Sequence, residues 1–225
     1  MNKRKVLICG AGGNLGKALA KGFYFAGDDV YLIARDISNL ESIIDSVKDS
    51  ALNTLGIGNV GSLSPIASDL GSDNVIVDIK TLLNDNGKFD IVIFNLSVNN
   101  ECKPSAITTE SLNAELNSTL FGLLRVANTV LPSYISDGGS FIVIGSTSSY
   151  KASVRYPKLS VQKHAIRSLA LSLAKEYTTY PFKVLHYIID GAISPNGNLS
   201  PDYVANNIIK LTYRHDFSDI ELVLK

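Results

Sequence analysis

VLICGAGGNLGKALA, residues Val6–Ala20, is the stretch that decides the fold. Val6–Cys9 is a short apolar run of the kind that forms a buried strand, and Leu15–Ala26 carries helical spacing. Between them Gly10 makes a tight turn, Gly13 lets the backbone approach a diphosphate, and Gly16 lets helix and strand pack closely. Asn14 and Leu15 open the helix. Free N–H groups and the positive end of the helix dipole make that N-terminus an anion site. A strand–helix turn without a ligand is the plainer reading, but a strand before the glycines and a helix after them favour binding.

Working outward, short apolar runs alternate with longer helical patterns. The predicted strands are Val6–Cys9, Val30–Ala34, Ile91–Asn95, Phe141–Gly145, Val184–Ile189 and Ile220–Leu224, with a weaker one at Pro65–Ser68. The predicted helices are Leu15–Ala26, Ser38–Leu52, Asn74–Asn86, Ser111–Ile135, Pro157–Tyr177 and Pro201–Thr212. This alternation predicts an α/β fold, with a mainly parallel seven-stranded sheet covered by helices on both faces. The runs IVIF and FIVI are continuous rather than alternating, as in strands buried on both sides. Ser200, Pro201 and Asp202 form a helix start: a cap, a proline in the first turn and an acid near the positive end. No repeat or linker interrupts the chain, so residues 1–225 read as one nucleotide-binding domain of the Rossmann type.

Composition narrows the partners. Twenty-one basic residues balance 21 acidic ones, which argues against a nucleic-acid partner. No apolar run reaches the roughly 18–20 residues of a membrane span. The apolar stretch after the basic start is too short for a secretion signal and reads as the first strand. Cys9 and Cys102 lack metal-ligand spacing and fit a reducing, cytoplasmic setting. A second glycine string, Gly56-Ile57-Gly58-Asn59-Val60-Gly61, matches G-x-G-x-x-G more literally. It follows a helical segment and precedes no helix, so it reads as a loop.

The end of the second predicted strand bears on the choice of cofactor. An acid there accepts from both adenosine ribose hydroxyls, whereas a cation favours a 2′-phosphate. Ala34 takes the acid's position and Arg35 follows, with a planar head suited to a phosphate and an adenine face. NADP is therefore expected, with NAD possible because Asp36 comes next.

The chain resembles the short-chain dehydrogenase/reductase family over nearly its whole length. ICGAGGNLGKALA is similar to that family's nucleotide turn, with glycine spacing closer to its extended branch and a length closer to its shorter branch. Asp69 falls where the family sets an acid against adenine, and Asn95 keeps the second asparagine of Asn-Asn-Ala-Gly. GGSFIVIGSTSS resembles the strand carrying the active-site serine, matching Ser146. VQKHAIRSLALSLAKEY resembles the lysine helix, matching Lys163. DGAI, Asp190–Ile193, resembles the Pro-Gly-x-Val turn, in which the backbone of the last residue, here Ile193, holds the carboxamide. The resemblance implies hydride transfer between the nicotinamide and a carbonyl or alcohol on a small molecule. It also implies a homodimer or homotetramer through helices 111–135 and 157–177.

The catalytic match is incomplete. The family's tyrosine position, 13 residues beyond Ser146 and four before Lys163, is Leu159. Tyr156 is the best substitute acid, displaced by roughly 4.5 Å along the axis and 60° around it if the helix continued back that far. Pro157, however, suits a first helical position and places Tyr156 at the cap. Tyr150 is a weaker candidate, and His164, His186 and His215 have no clear catalytic setting. Thr119 takes the family's asparagine position, and Asn117 lies about 200° around the helix from it. The connection from Gly191 to Ser200 is short for a substrate lid. Two readings follow: an NADP-dependent reductase with a rearranged acid, or a catalytically silent NADP-binding protein serving as a sensor or assembly partner. An extended-branch sugar epimerase shares the glycine spacing but needs a C-terminal substrate domain and the tyrosine.

Overall fold

The computed structural model describes residues 3–55, 60–134, 138–213 and 219–225. Seven strands form one sheet: β1 Lys5–Cys9, β2 Asp29–Ala34, β3 Ser62–Ala67, β4 Ile91–Phe94, β5 Gly139–Ser146, β6 Phe182–Ile189 and β7 Glu221–Leu224. Six α-helices alternate with them: α1 Asn14–Phe25, α2 Ile37–Leu55, α3 Asn74–Asn86, α4 Thr109–Val130, α5 Pro157–Glu176 and α6 Pro201–Leu211. The strand order is β3-β2-β1-β4-β5-β6-β7, and each neighbouring pair is parallel. The doubly wound α/β reading is thus the observed fold.

Alternate side chains of each central strand enter opposite layers, because successive Cβ atoms point to opposite faces. Val6, Ile8, Ile91, Ile93, Ile142 and Ile144 pack with α1, α2 and α6. Leu7, Cys9, Val92, Phe94, Phe141 and Val143 pack with α3, α4 and α5. Chain order reverses between β1 and β4, and the carboxyl ends of these strands open a crevice where α/β sheets bind ligands.

Of the boundaries that differ from the sequence reading, two have a plain physical cause. β3 begins at Ser62, earlier than expected, because backbone pairing to Asp29–Ala34 recruits the polar residues Ser62 and Ser64. Its Pro65 is tolerated since β3 is an edge strand. α4 stops at Val130 and tightens into a 3₁₀ turn over Leu131–Tyr134 instead of running on to Ile135, which lies outside the described residues. Pro132 sits in that turn, as a residue that cannot continue the α ladder. The glycine string at Gly56–Gly61 falls largely on residues 56–59, also outside the described residues, as does His215.

The expected caps are present. Ser200 Oγ accepts the Tyr203 N–H at 3.2 Å, and Tyr156 is the cap residue before Pro157. Among the described residues no helix is long and apolar enough to cross a membrane.

Candidate active site

At the carboxyl ends of β1, β4 and β5 lies a trough of about 530 Å³. Its floor is the turn after β1. Gly10 has φ +87°, a left-handed conformation that favours glycine, and a Cβ there would stand 2.9 Å from the Asn95 backbone. Gly16 does not reach the trough; a Cβ at this position would lie 2.3 Å from the Ala11 carbonyl oxygen, so its role is close packing of helix on turn. Gly13 faces open space, with no heavy atom within 4 Å of where its Cβ would be. Gly10, Gly13, Asn14 and Leu15 all line the wall.

One end of the trough is formed by Ala34, Arg35, Asp36, Asn39, Ser68, Asp69, Leu70 and Ser118. Asp36 Oδ1 accepts the Asn39 N–H at 3.1 Å, while Asn39 Nδ2 donates to the Gly12 carbonyl at 2.9 Å. The Asp36 carboxylate is thereby held at the start of α2, and exposed Arg35 lines the trough next to it. Ser68, only 7% exposed, has an Oγ with no hydrogen-bond partner among the described residues. A buried hydroxyl left unpaired in a pocket wall fits a polar ligand edge. Ser68 and Asn39 were not singled out from sequence, because only the fold brings the ends of β2 and β3 to one wall.

The other end gathers Asn95, Leu96, Val98, Asn99, Ile144, Gly145, Ser146, Leu159, Lys163 and Ile193. Asn95 Nδ2 donates to the Gly10 carbonyl at 3.1 Å, fixing the first turn against β4. Lys163 is buried, and its ammonium donates to Ile144 O at 2.9 Å and Leu96 O at 3.3 Å. Burial lowers its pKa to about 8. Ser146 Oγ accepts the Ser148 N–H at 3.2 Å, leaving its own hydrogen free to point into the trough.

Tyr156 stands apart from this group. It is not in the trough wall, and its hydroxyl donates to Glu101 Oε1 at 2.7 Å. That bond to a carboxylate raises the phenol pKa. Tyr150 also lies outside the wall; its hydroxyl bonds to Asp190, which takes a second hydrogen bond from Thr147 Oγ1 at 3.0 Å. The two bonds hold the Asp190 carboxyl below its ordinary pKa. Thr119 is buried and donates back to Glu115 O at 2.7 Å, within its own helix. Asn117 faces away, as the helical rotation requires, donating to Gly71 O at 2.7 Å and accepting from Arg125 at 3.0 Å.

Behind the loop after β4 sits a buried polar cluster not anticipated from sequence. The Gln162 amide pairs with Val98 N and O, both at 3.3 Å, and donates to Glu115 at 2.5 Å. Glu115 also takes Asn100 Nδ2 at 3.1 Å and forms an ion pair with buried Lys158. This cluster fixes the loop carrying Val98 and Asn99, and with it one wall of the trough.

Comparison with known proteins agrees with this architecture. The short chain dehydrogenase family matches residues 4–194. Dehydrogenase/reductase SDR family member 7B of Xenopus laevis is 26% identical over 182 residues, covering 80% of this chain and 55% of that protein. The Danio rerio protein of the same name is 25% identical over 207 residues, covering 90% and 62%. The chain thus spans little more than half the length of these relatives. A metagenomic short-chain oxidoreductase in complex with NADP superposes with TM-score 0.84 at 18% identity, covering 98% of this chain and 96% of that one. L-Sorbose reductase from Gluconobacter frateurii, complexed with NADPH and L-sorbose, gives 0.84 at 18% identity, covering 100% and 95%. On the match that runs from the first strand through the turn after β6, this chain belongs to the short chain dehydrogenase family.

Proposed function

We propose that this chain binds NADP in the trough and acts as an oxidoreductase, interconverting a carbonyl and an alcohol on a small molecule. The observation that carries the reading is the single continuous wall joining the Gly10–Leu15 turn and Arg35 at one end to Ser146 and Lys163 at the other. The residues present fit the dinucleotide: Gly13 is open for a diphosphate, Arg35 is exposed beside a committed Asp36, and Ser68 and Asp69 offer polar atoms for the adenine. When bound, NADP supplies or accepts hydride at its nicotinamide ring.

The chain's own residues then handle the oxygen and its proton. The free Ser146 O–H orients the substrate oxygen. Leu159 carries no proton, so we assign the donor to Lys163, the wall residue beside Ser146 whose proton exchanges near pH 8. Tyr156 would have to leave Glu101 to take this role. The same reading includes self-association through α4 and α5, whose Phe121, Leu124 and Val161 are exposed apolar residues.

The test is NADPH consumption with a panel of ketones and aldehydes. Reduction requires the ammonium form of Lys163, so kcat/KM is expected to fall as pH rises through about 8. Lys163→Met should lower it by about 10²–10⁴-fold, the range for a lost general acid. A fall of that size on Tyr156→Phe instead would assign the proton to Tyr156. Tight NADPH binding with no turnover above background would select the silent nucleotide-binding reading, which the leucine at position 159 favours.

Arg35 gives a separate prediction. Arg35→Ser is expected to weaken NADPH binding by about tenfold, the scale of one exposed charge-assisted bond, and to leave NADH binding unchanged. Calorimetric titration of both nucleotides checks it; equal losses for the two would remove the 2′-phosphate contact.

A further inference from the structure

Behind the Ser146 turn lies a chain of polar groups, half-buried at Arg167 and Glu221 and fully buried at His186 and Ser149, with one open link. Arg167 of α5 clamps Glu221 of β7 through two bonds of 2.7 Å. Glu221 Oε1 in turn meets His186 Nδ1 of β6 at 2.8 Å. The bonds from Arg167 and His186 lower the Glu221 pKa to about 2, so the carboxylate accepts and Nδ1 must carry the hydrogen. That fixes the tautomer and leaves Nε2 with a bare lone pair.

His186 is fully buried, and its Nε2 has no hydrogen-bond partner among the described residues. Nε2 points under β5. A Cβ on Gly145 would stand 2.4 Å from Nε2 and 3.1 Å from Ser149 Oγ, so the two atoms flank the space that the glycine leaves empty. Ser149 is also fully buried, and its Oγ accepts the Ser146 N–H at 3.2 Å. An accepting hydroxyl still carries a hydrogen of its own, and a buried donor without an acceptor costs free energy. The unpaired acceptor beside it is His186 Nε2.

We propose that His186 is a positioning residue for the Ser146 turn: neutral imidazole accepts the Ser149 O–H, and Ser149 thereby holds the Ser146 backbone. A small shift of the two side chains, with the hydroxyl hydrogen turned about the Ser149 Cβ–Oγ bond, closes the link while Oγ stays on the Ser146 N–H. Charged groups reach His186 from two elements packed on it, Lys163 and Arg167 from α5 and Glu221 from β7. Burial and the two cations favour the neutral ring, against Glu221. Protonation turns Nε2 from acceptor into donor, so the link holds at neutral pH and is lost in acid. The proposal rests on Ser146 being the site serine, but its first test does not require turnover.

The chain has three histidines, so ¹⁵N-edited imidazole spectra of the whole protein are simple, with His186→Gln giving the assignment. At neutral pH the His186 Nε2 resonance should be that of an unprotonated nitrogen shifted by an accepted hydrogen bond. Ser149→Ala should remove that shift and raise the midpoint of the His186 titration, because the neutral form loses its partner. An Nε2 resonance of a free lone pair, or one that carries a proton at neutral pH, in the unmodified protein would overturn the proposal even if the alanine variant fails to fold. So would an identical resonance and titration in Ser149→Ala. In the reductase assay, Ser149→Ala should lower kcat by about five- to tenfold, the scale of one hydrogen bond, with the KM for NADPH unchanged. His186→Gln, which can offer a side-chain carbonyl to Ser149, should retain more activity than His186→Phe. If the resonances behave as stated and no turnover is found, the link stands and the oxidoreductase reading fails.

Discussion

Gly13→Asp is expected to weaken NADPH binding by a hundredfold or more while leaving the fold as stable as before. Gly13 is the N-cap of α1, with φ −102° and ψ 176°, an extended conformation open to any residue. Nothing lies within 4 Å of its Cβ position, so the new side chain starts into open space without a clash at Cβ. Aspartate is a preferred N-cap residue, so α1 should lose nothing. A diphosphate seated on the turn would instead face a carboxylate at contact distance. Two unit charges 4 Å apart repel by about 4 kcal/mol at an effective dielectric constant of 20, which is more than a hundredfold in affinity. Titration with NADPH, paired with a thermal melt, checks both halves. Unchanged affinity with an unchanged melt would place the phosphates elsewhere and remove the basis of the proposed function. Gly16 offers no such separation, since any Cβ there strikes the Ala11 backbone.

The second large effect concerns stability. Glu115→Ala should destabilise the fold by about 3–5 kcal/mol, because it leaves the buried Lys158 ammonium without its partner. It also removes acceptors from Asn100 and Gln162. The double variant Glu115→Leu, Lys158→Met should recover most of that loss, since replacing a buried pair by apolar side chains is often neutral. Urea unfolding of the single and double variants measures the difference. A single-variant loss below about 1 kcal/mol would mean that water already reaches the pair and that it behaves as a surface contact. Because Gln162 clamps Val98, the single variant should also loosen the Val98–Asn99 wall and weaken nucleotide binding.

What the sequence made legible was local. GAGGNLG reads as a turn because the strand before it, the glycines and the helix after it are contiguous. The doubly buried strands were legible in IVIF and FIVI, since continuous apolar runs have few other uses in an alternating chain. The orientation of Asn117 followed from helical rotation alone, and the structure sends it to Gly71 and Arg125. Tyr156 shows where this kind of reading ends. Its cap position was legible from Pro157, but its direction was set by Glu101, 55 residues away. His186 lacked a setting in sequence because its partner is Glu221, brought beside it by the parallel register of β6 and β7. Glu115 and Lys158 likewise meet only once α4 and α5 are packed on the same face. The early start of β3 was hidden because backbone pairing, which carries no side-chain signature, recruits its polar residues.

The segment between β6 and α6 has a kinetic consequence. Residues 191–198 are exposed; Gly191 and Ile193 border the trough, and the segment closes on itself through the Ser194 N–H to Leu199 carbonyl bond. If the proposed reduction takes place here, this segment supplies no gate to open, and the product leaves by diffusion from an uncovered ledge. Water has the same access, so selectivity among small molecules rests on how the ledge grips them and not on who is admitted.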